Sequence, residues 1–148
     1  MAGSTSKEEE VSLSRYKVCP GDEVTFLEAD ASVAVSDMDH ARKFYEGKLG
    51  FSGQEDTSDG SVVYSCDGGT SLRVYASPAH AGKGTVTLAT WYVADVEQVV
   101  DELRSNGVTF ERYVEFSLKT DVNGIHERSD GKLAWFKDPD GNTLAIEQ

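Results

Sequence analysis

The chain has 148 residues, with 26 acidic side chains against 14 basic ones and a net charge of −12. That length favours one domain. The charge excludes a nucleic-acid binder that works by neutralising phosphates, and it disfavours an anionic membrane surface.

The first ten residues, Met1 to Glu10, are small, polar and charged, with no apolar stretch that would mark a signal peptide. No run approaches the ~18 apolar residues of a membrane span. Cytoplasmic residence is the default expectation. Residues 1–28 are expected to form a disordered or loosely attached extension, in which Pro20-Gly21-Asp22 interrupts a weak apolar alternation. Residues 29–148 are expected to form the domain. Cys19 and Cys66 stand in no metal or redox spacing and are expected to be free thiols.

Ala29 to Val35 alternates as a strand, and Ser36 or Asp37 can cap the helix that follows. Met38, Ala41, Phe44, Tyr45 and Leu49 make the apolar stripe of that helix, and Gly50 ends it. Strands are expected near 51–56, 61–66 and 71–76, separated by Asp59-Gly60 and Asp67-Gly68-Gly69 turns. After a linker of small residues comes a strand over about 85–93. A helix then starts at Asp95, with Val96, Val99, Val100 and Leu103 on one face, and Gly107 ends it. Residues 108–115 read as a strand and 116–131 as a long polar loop. Residues 132–136 and 143–148 pair through Asp138-Pro139-Asp140-Gly141.

The two halves say the same thing twice. Strand, Asp, amphipathic helix, Gly and strand recur with Asp37 and Asp95 as equivalent residues, an offset of 58. Units of that size bury only ~60% of their unfolded surface. Each half therefore needs the other, or a partner chain, to complete a core. The order predicts an α+β fold of two βαβββ modules, about 29–77 and 85–148, whose sheets curve around a cleft.

Val-x-Asp-x-x-x-Ala-x-x-Phe-Tyr running to Leu-Gly-Phe over Val35 to Phe51, with the ending Phe136-Lys137-Asp138-Pro139-Asp140-Gly141-Asn142-x-Leu144, resembles the vicinal oxygen chelate superfamily. These are the glyoxalase, bleomycin-resistance and extradiol-dioxygenase proteins. The resemblance covers about residues 29–148. It implies that metal-dependent members draw ligands from four equivalent cleft positions, which here fall on Asp30, Arg73, Leu88 and Ala145. Leu and Ala have no donor atom, and Arg is a permanent cation. One carboxylate falls short of the three or more protein ligands a site needs. Moving the last-strand position by two adds only Glu147. No metal and no cofactor is therefore expected, and whether the chain is an enzyme stays open.

The reading that follows is a metal-free small-molecule binder, expected as a homodimer, holding a neutral or cationic aromatic compound. Asp30, Ser32, Arg73, Tyr75, Leu88, Thr90, Tyr92 and Trp135 would line the cleft, with Tyr113 as a further aromatic wall, since such sites are mostly apolar with few polar anchors. Trp91 reads as core. Asp30 and Arg73 read as an ion pair or as a ligand anchor. Among the histidines, His40 reads as solvated and His80 as loop, while His126 lies in the long loop. The alternative is a lyase, isomerase or hydrolase using Asp30, His126 or Glu147 for acid–base work, or a metal-dependent member with another ligand set.

Overall fold

The repeat becomes two four-stranded sheets in the computed structural model, which describes residues 29–56, 58–115 and 117–148. The extension expected over residues 1–28 lies outside these. In the first module, β1 (Ala31–Val35) leads into α1 (Met38–Lys48), then β2 (Gly53–Glu55), β3 (Val62–Ser65) and β4 (Ser71–Ala76). The sheet order is β1-β4-β3-β2, with β1 and β4 parallel and the other pairs antiparallel. In the second module, β5 (Thr87–Tyr92) leads into α2 (Val96–Ser105). Then come β6 (Val114–Glu115), β7 (Leu118–Lys119), β8 (Ile125–Arg128), β9 (Gly131–Lys137) and β10 (Thr143–Glu147). Here β5-β10-β9-β8 repeats the first order, again with the first pair parallel.

The repeated Asp is the helix cap in both copies. Asp37 accepts from the amides of Asp39 and His40, and Asp95 from that of Gln98. Each bond satisfies a helix N-terminal amide that has no partner inside the helix. The first helix does not stay α-helical. After Arg42 it widens into a π-helical stretch, Lys43–Lys48. In that stretch the adjacent side chains Phe44 and Tyr45 are both buried. Gly50, at φ +79°, then turns the chain toward β2. In α2, Val96, Val100 and Leu103 are buried, as the stripe predicts.

The second module departs from the reading at residues 108–131. Only Phe110 bridges to the sheet, opposite Phe136, and Val114–Glu115 pairs with Leu118–Lys119 apart from it. The strand equivalent to β2 is β8, inside the stretch read as loop. Asp121 explains where the chain returns: its carboxylate accepts from the amides of Asn123 and Ile125, and Gly124, at φ +84°, completes the turn. The long segment between helix and strand is an insertion relative to the first module. His126 consequently lies on a strand.

Both modules feed one core. Val33, Val35, Leu72 and Val74 from the first sheet join Phe44 and Tyr45, the α2 stripe, and Ala134, Phe136, Leu144 and Ile146 from the second. Phe44 meets Phe136 with ring centroids 6.2 Å apart, and Phe51 meets Trp91 at 5.4 Å. A buried polar node crosses the same boundary. Asp138 accepts from the Tyr45 hydroxyl at 2.9 Å, the Asn142 side-chain amide at 2.8 Å, and the backbone amides of Asp140 and Asn142. The Asn142 amide group also donates to the Ala34 carbonyl, and its oxygen accepts from the Gly82 amide.

Removing one partner of a buried charged hydrogen bond costs about 1.5–3 kcal/mol. Tyr45→Phe should fall in that range in urea denaturation. Asn142→Ala should cost more, because it strands the Ala34 carbonyl and the Gly82 amide as well. Burial chiefly, and then Asp138, raise the Tyr45 hydroxyl far above the ordinary tyrosine range. The unfolded hydroxyl ionises near pH ~10, whereas the folded one stays protonated. This stability is present below about pH 10 and falls by about 1.4 kcal/mol per unit above it. Tyr45→Phe should flatten that alkaline slope, read as urea midpoints from about pH 9 to pH 11.

Candidate functional site

Strand alternation sends every second side chain away from the core. On the first sheet, Ser32, Arg73, Val63 and Gln54 form one cross-strand row, and Ala34 stands opposite Tyr75. On the second, Trp135, Ala145 and Thr90 form a row, and His126, Leu133, Glu147 and Tyr92 form the next. These two open faces carry eight of the residues expected at the site: Ser32, Arg73, Tyr75, Thr90, Tyr92, His126, Trp135 and Glu147. Tyr92 is 79% exposed, Tyr75 37% and Leu88 36%.

On the first face, the Arg73 guanidinium donates to the Ser61 hydroxyl at 2.7 Å and stands 3.6 Å from the Asp56 carboxylate. The partner of Arg73 is thus Asp56, where the sequence suggested Asp30. Asp30 is exposed and lies just before β1. Hydrogen bonds from the Ser58 hydroxyl and amide, and then the Arg73 charge, hold the Asp56 carboxyl below the usual carboxylate range. Asp56 carried no signal in the sequence beyond its place next to a turn.

On the second face, Trp135 is flanked by Tyr113 at 5.5 Å and His126 at 6.1 Å between ring centroids. Burial, with help from Glu111 and Glu115, raises the Tyr113 hydroxyl above its ordinary value. His126 Nδ1 bonds the Lys119 carbonyl at 2.8 Å. A carbonyl only accepts, so Nδ1 carries the proton there and Nε2 stays available. Glu147 is held by Arg128. His126 and Glu147 lie two strand spacings apart, about 10 Å. They do not share a proton path in this arrangement. The ion pairs, hydrogen bonds and ring contacts of each open face stay within its own module.

The positions of a metal site hold Asp30, Arg73, Leu88 and Ala145. Arg73 is committed to Asp56 and Ser61, and Ala145 is buried with no donor. Leu88 sits in a bulge: Thr87 pairs with Thr143 and Ala89 with Leu144, which leaves Leu88 without a register partner. Among the described residues, no three His, Cys, Asp or Glu side chains come together. This donor set does not fit a divalent cation.

A separate cavity of about 440 Å³ opens on the other side of the strands. Phe51, Tyr64, Trp91, Val99, Leu103 and Phe136 line it, and Cys66 reaches it from the β3–β4 turn. None of these reads as a site residue in the sequence: Val99 and Leu103 read as the helix stripe, Cys66 as a free thiol and Trp91 as core. Its ring does pack on the core, against Phe51 and Phe136. Aromatic residues at core-facing strand positions give no signal that separates a cavity wall from packing.

Comparisons with known proteins fit this geometry. No curated protein matches. The chain is similar to a glyoxalase/bleomycin resistance protein from Streptomyces sp. CB03234. The two are 25% identical over 81% of this chain and all of the other, with a TM-score of 0.62. It is similar in fold to TnmS3, an antibiotic-binding protein of that same source, at 24% identity, TM-score 0.64, and 84% and 98% of the two chains. A glyoxalase/bleomycin resistance protein from Catenulispora acidiphila DSM 44928 gives 25%, 0.60, and 82% and 97%. Residues 29–146 match the profile of one family across both modules, and the chain belongs to the Glyoxalase/Bleomycin resistance protein/Dioxygenase superfamily.

Proposed function

We propose that this protein is a metal-free binder of a neutral or cationic aromatic small molecule, held on the open sheet faces and completed by a second copy of the chain. The observation that carries the reading is the Trp135 platform with Tyr113 and His126 at its sides, on a face that also exposes Thr90 and Tyr92. Aromatic walls with a few polar anchors suit flat organic ligands and cations. Arg73, backed by Asp56 and Ser61, supplies a polar anchor on the first face. The antibiotic binding named for the structural relative TnmS3 supports the same class of ligand. The poor donor set argues against chemistry through a metal.

The second copy follows from exposure. Each open face leaves large apolar groups in water: Tyr75 on the first, and Leu88 and Tyr92 on the second. Faces of this kind mark interaction surfaces. Light scattering should give twice the chain mass, and Tyr92→Asp should shift the equilibrium toward the single chain.

The binding test uses dialysed protein and a panel of aromatic compounds, neutral and cationic. At least one class should bind, and EDTA should leave its affinity unchanged. Trp135→Ala should cost about 1–2 kcal/mol, roughly ten- to thirtyfold in Kd. A panel without a single binder would sink the reading. Stoichiometric zinc, nickel, manganese or iron in the purified protein would overturn the metal-free part of it.

A further inference from the structure

The cavity on the core side of the sheets shares only Tyr92, at its edge, with the open-face site. It lies between the modules of one chain. Leu49, Phe51 and Tyr64 come from the first, and Trp91, Val99 and Phe136 from the second. Its floor is built of buried side chains, with Tyr64 2% and Phe136 1% exposed. Exposed Gly50, Ser65 and Asp67 stand at its mouth. Protein interiors are packed with few voids larger than a water molecule. This one opens to solvent at its mouth, and its volume of about 440 Å³ is roughly three times that of an engineered apolar cavity that accepts one benzene ring.

Water is a poor tenant here. A buried water needs two to four polar partners, and this lining is aliphatic and aromatic over most of its area. The Tyr64 ring forms part of the wall, while its buried hydroxyl, which has no hydrogen-bond partner, lies beside Glu46 of α1. Burial, and then the Glu46 carboxylate, push that hydroxyl up to about 12, so it stays neutral at physiological pH. Glycine at position 53 keeps the tyrosine ring in place, because a Cβ there would come within 2.6 Å of it. No Lys, Arg or His lines the cavity, and its one charged neighbour is Asp67 at the mouth.

We propose that this cavity is a second binding site, for an uncharged flat aromatic molecule of about two or three rings. The ligand would lie against Phe51 and Trp91, and Asp67 would tolerate a cationic substituent at the mouth and disfavour an anionic one. The site is contained in a single chain and does not need the second copy. It therefore stands or falls separately from the open-face reading.

The test uses full-length Trp135→Phe protein, in which Trp91 is the only tryptophan, and N-phenyl-1-naphthylamine as a neutral probe. Saturable energy transfer from Trp91 to the probe is expected. Val99→Phe, which fills the cavity, should weaken it about tenfold or more, while Thr90→Arg on the open face should leave it within about twofold. In Cys19→Ser protein, the same probe should slow alkylation of Cys66 about fivefold or more. That protection should half-saturate at the same probe concentration as the energy transfer. This second measurement decides the matter if Val99→Phe does not fold. Binding that is lost in Thr90→Arg and kept in Val99→Phe, or binding without protection of Cys66, would overturn the cavity site and leave the open-face site standing. Absence of any saturable transfer would overturn it too, whatever the compound panel shows for the open faces.

Discussion

The fold turns on one carboxylate. Asp138 sits in the last hairpin of the second module and accepts a hydroxyl from the helix of the first. The same carboxylate organises its own turn and positions Asn142, which reaches back to Ala34 at the end of β1. A buried charge is tolerable only when its lone pairs are used, and here four donors use them. Tyr45 is able to reach Asp138 while Phe44 reaches Phe136 because the helix widens at Lys43–Lys48. The aromatic core thus sets how closely the modules pack, and the polar node sets their register.

Because the core-facing sides are spent on joining the modules, each sheet is left with a second face to solvent. The two faces have different chemistry despite their common ancestry in the repeat. One presents a cation neutralised by Asp56, and the other presents rings. A ligand bridging two such walls would be oriented by the difference between them. The cavity has the opposite character, closed below, apolar, and served by aromatics from both modules. A single repeated unit thereby presents two chemically different surfaces on opposite sides of its strands.

Much of this could be read from the residues. The Asp37 and Asp95 caps, the α2 stripe, the Gly turns and the strand alternation each rest on local chemistry, and the open-face rows follow from period-two geometry. The segment 108–131 was not legible, because Val108 and Phe110 alternate like a strand while only Phe110 bridges to the sheet. The return point depends on the Asp121 turn, which looks like any polar loop. The π-helical stretch was hidden as well, since Phe44 and Tyr45 fit an α-helical stripe nearly as well. The Arg73 partner was missed for a related reason. The antiparallel pairing of β4 with β3 brings the β2–β3 turn, with Ser61 and Asp56, beside it, and one-dimensional spacing does not show that. Cavity walls and core packing use the same residue types, so Phe51, Tyr64 and Trp91 were indistinguishable from filling.

The bulge at Leu88 bears on how this branch of the superfamily could change. β5 carries one more residue than β10 over this stretch, and a bulge re-aims the side chain it holds. Exchanging Leu88 for a donor residue would not by itself assemble a metal centre, because Arg73 is a cation, Ala145 has no donor atom, and strand pairing rather than the side chain sets where residue 88 points.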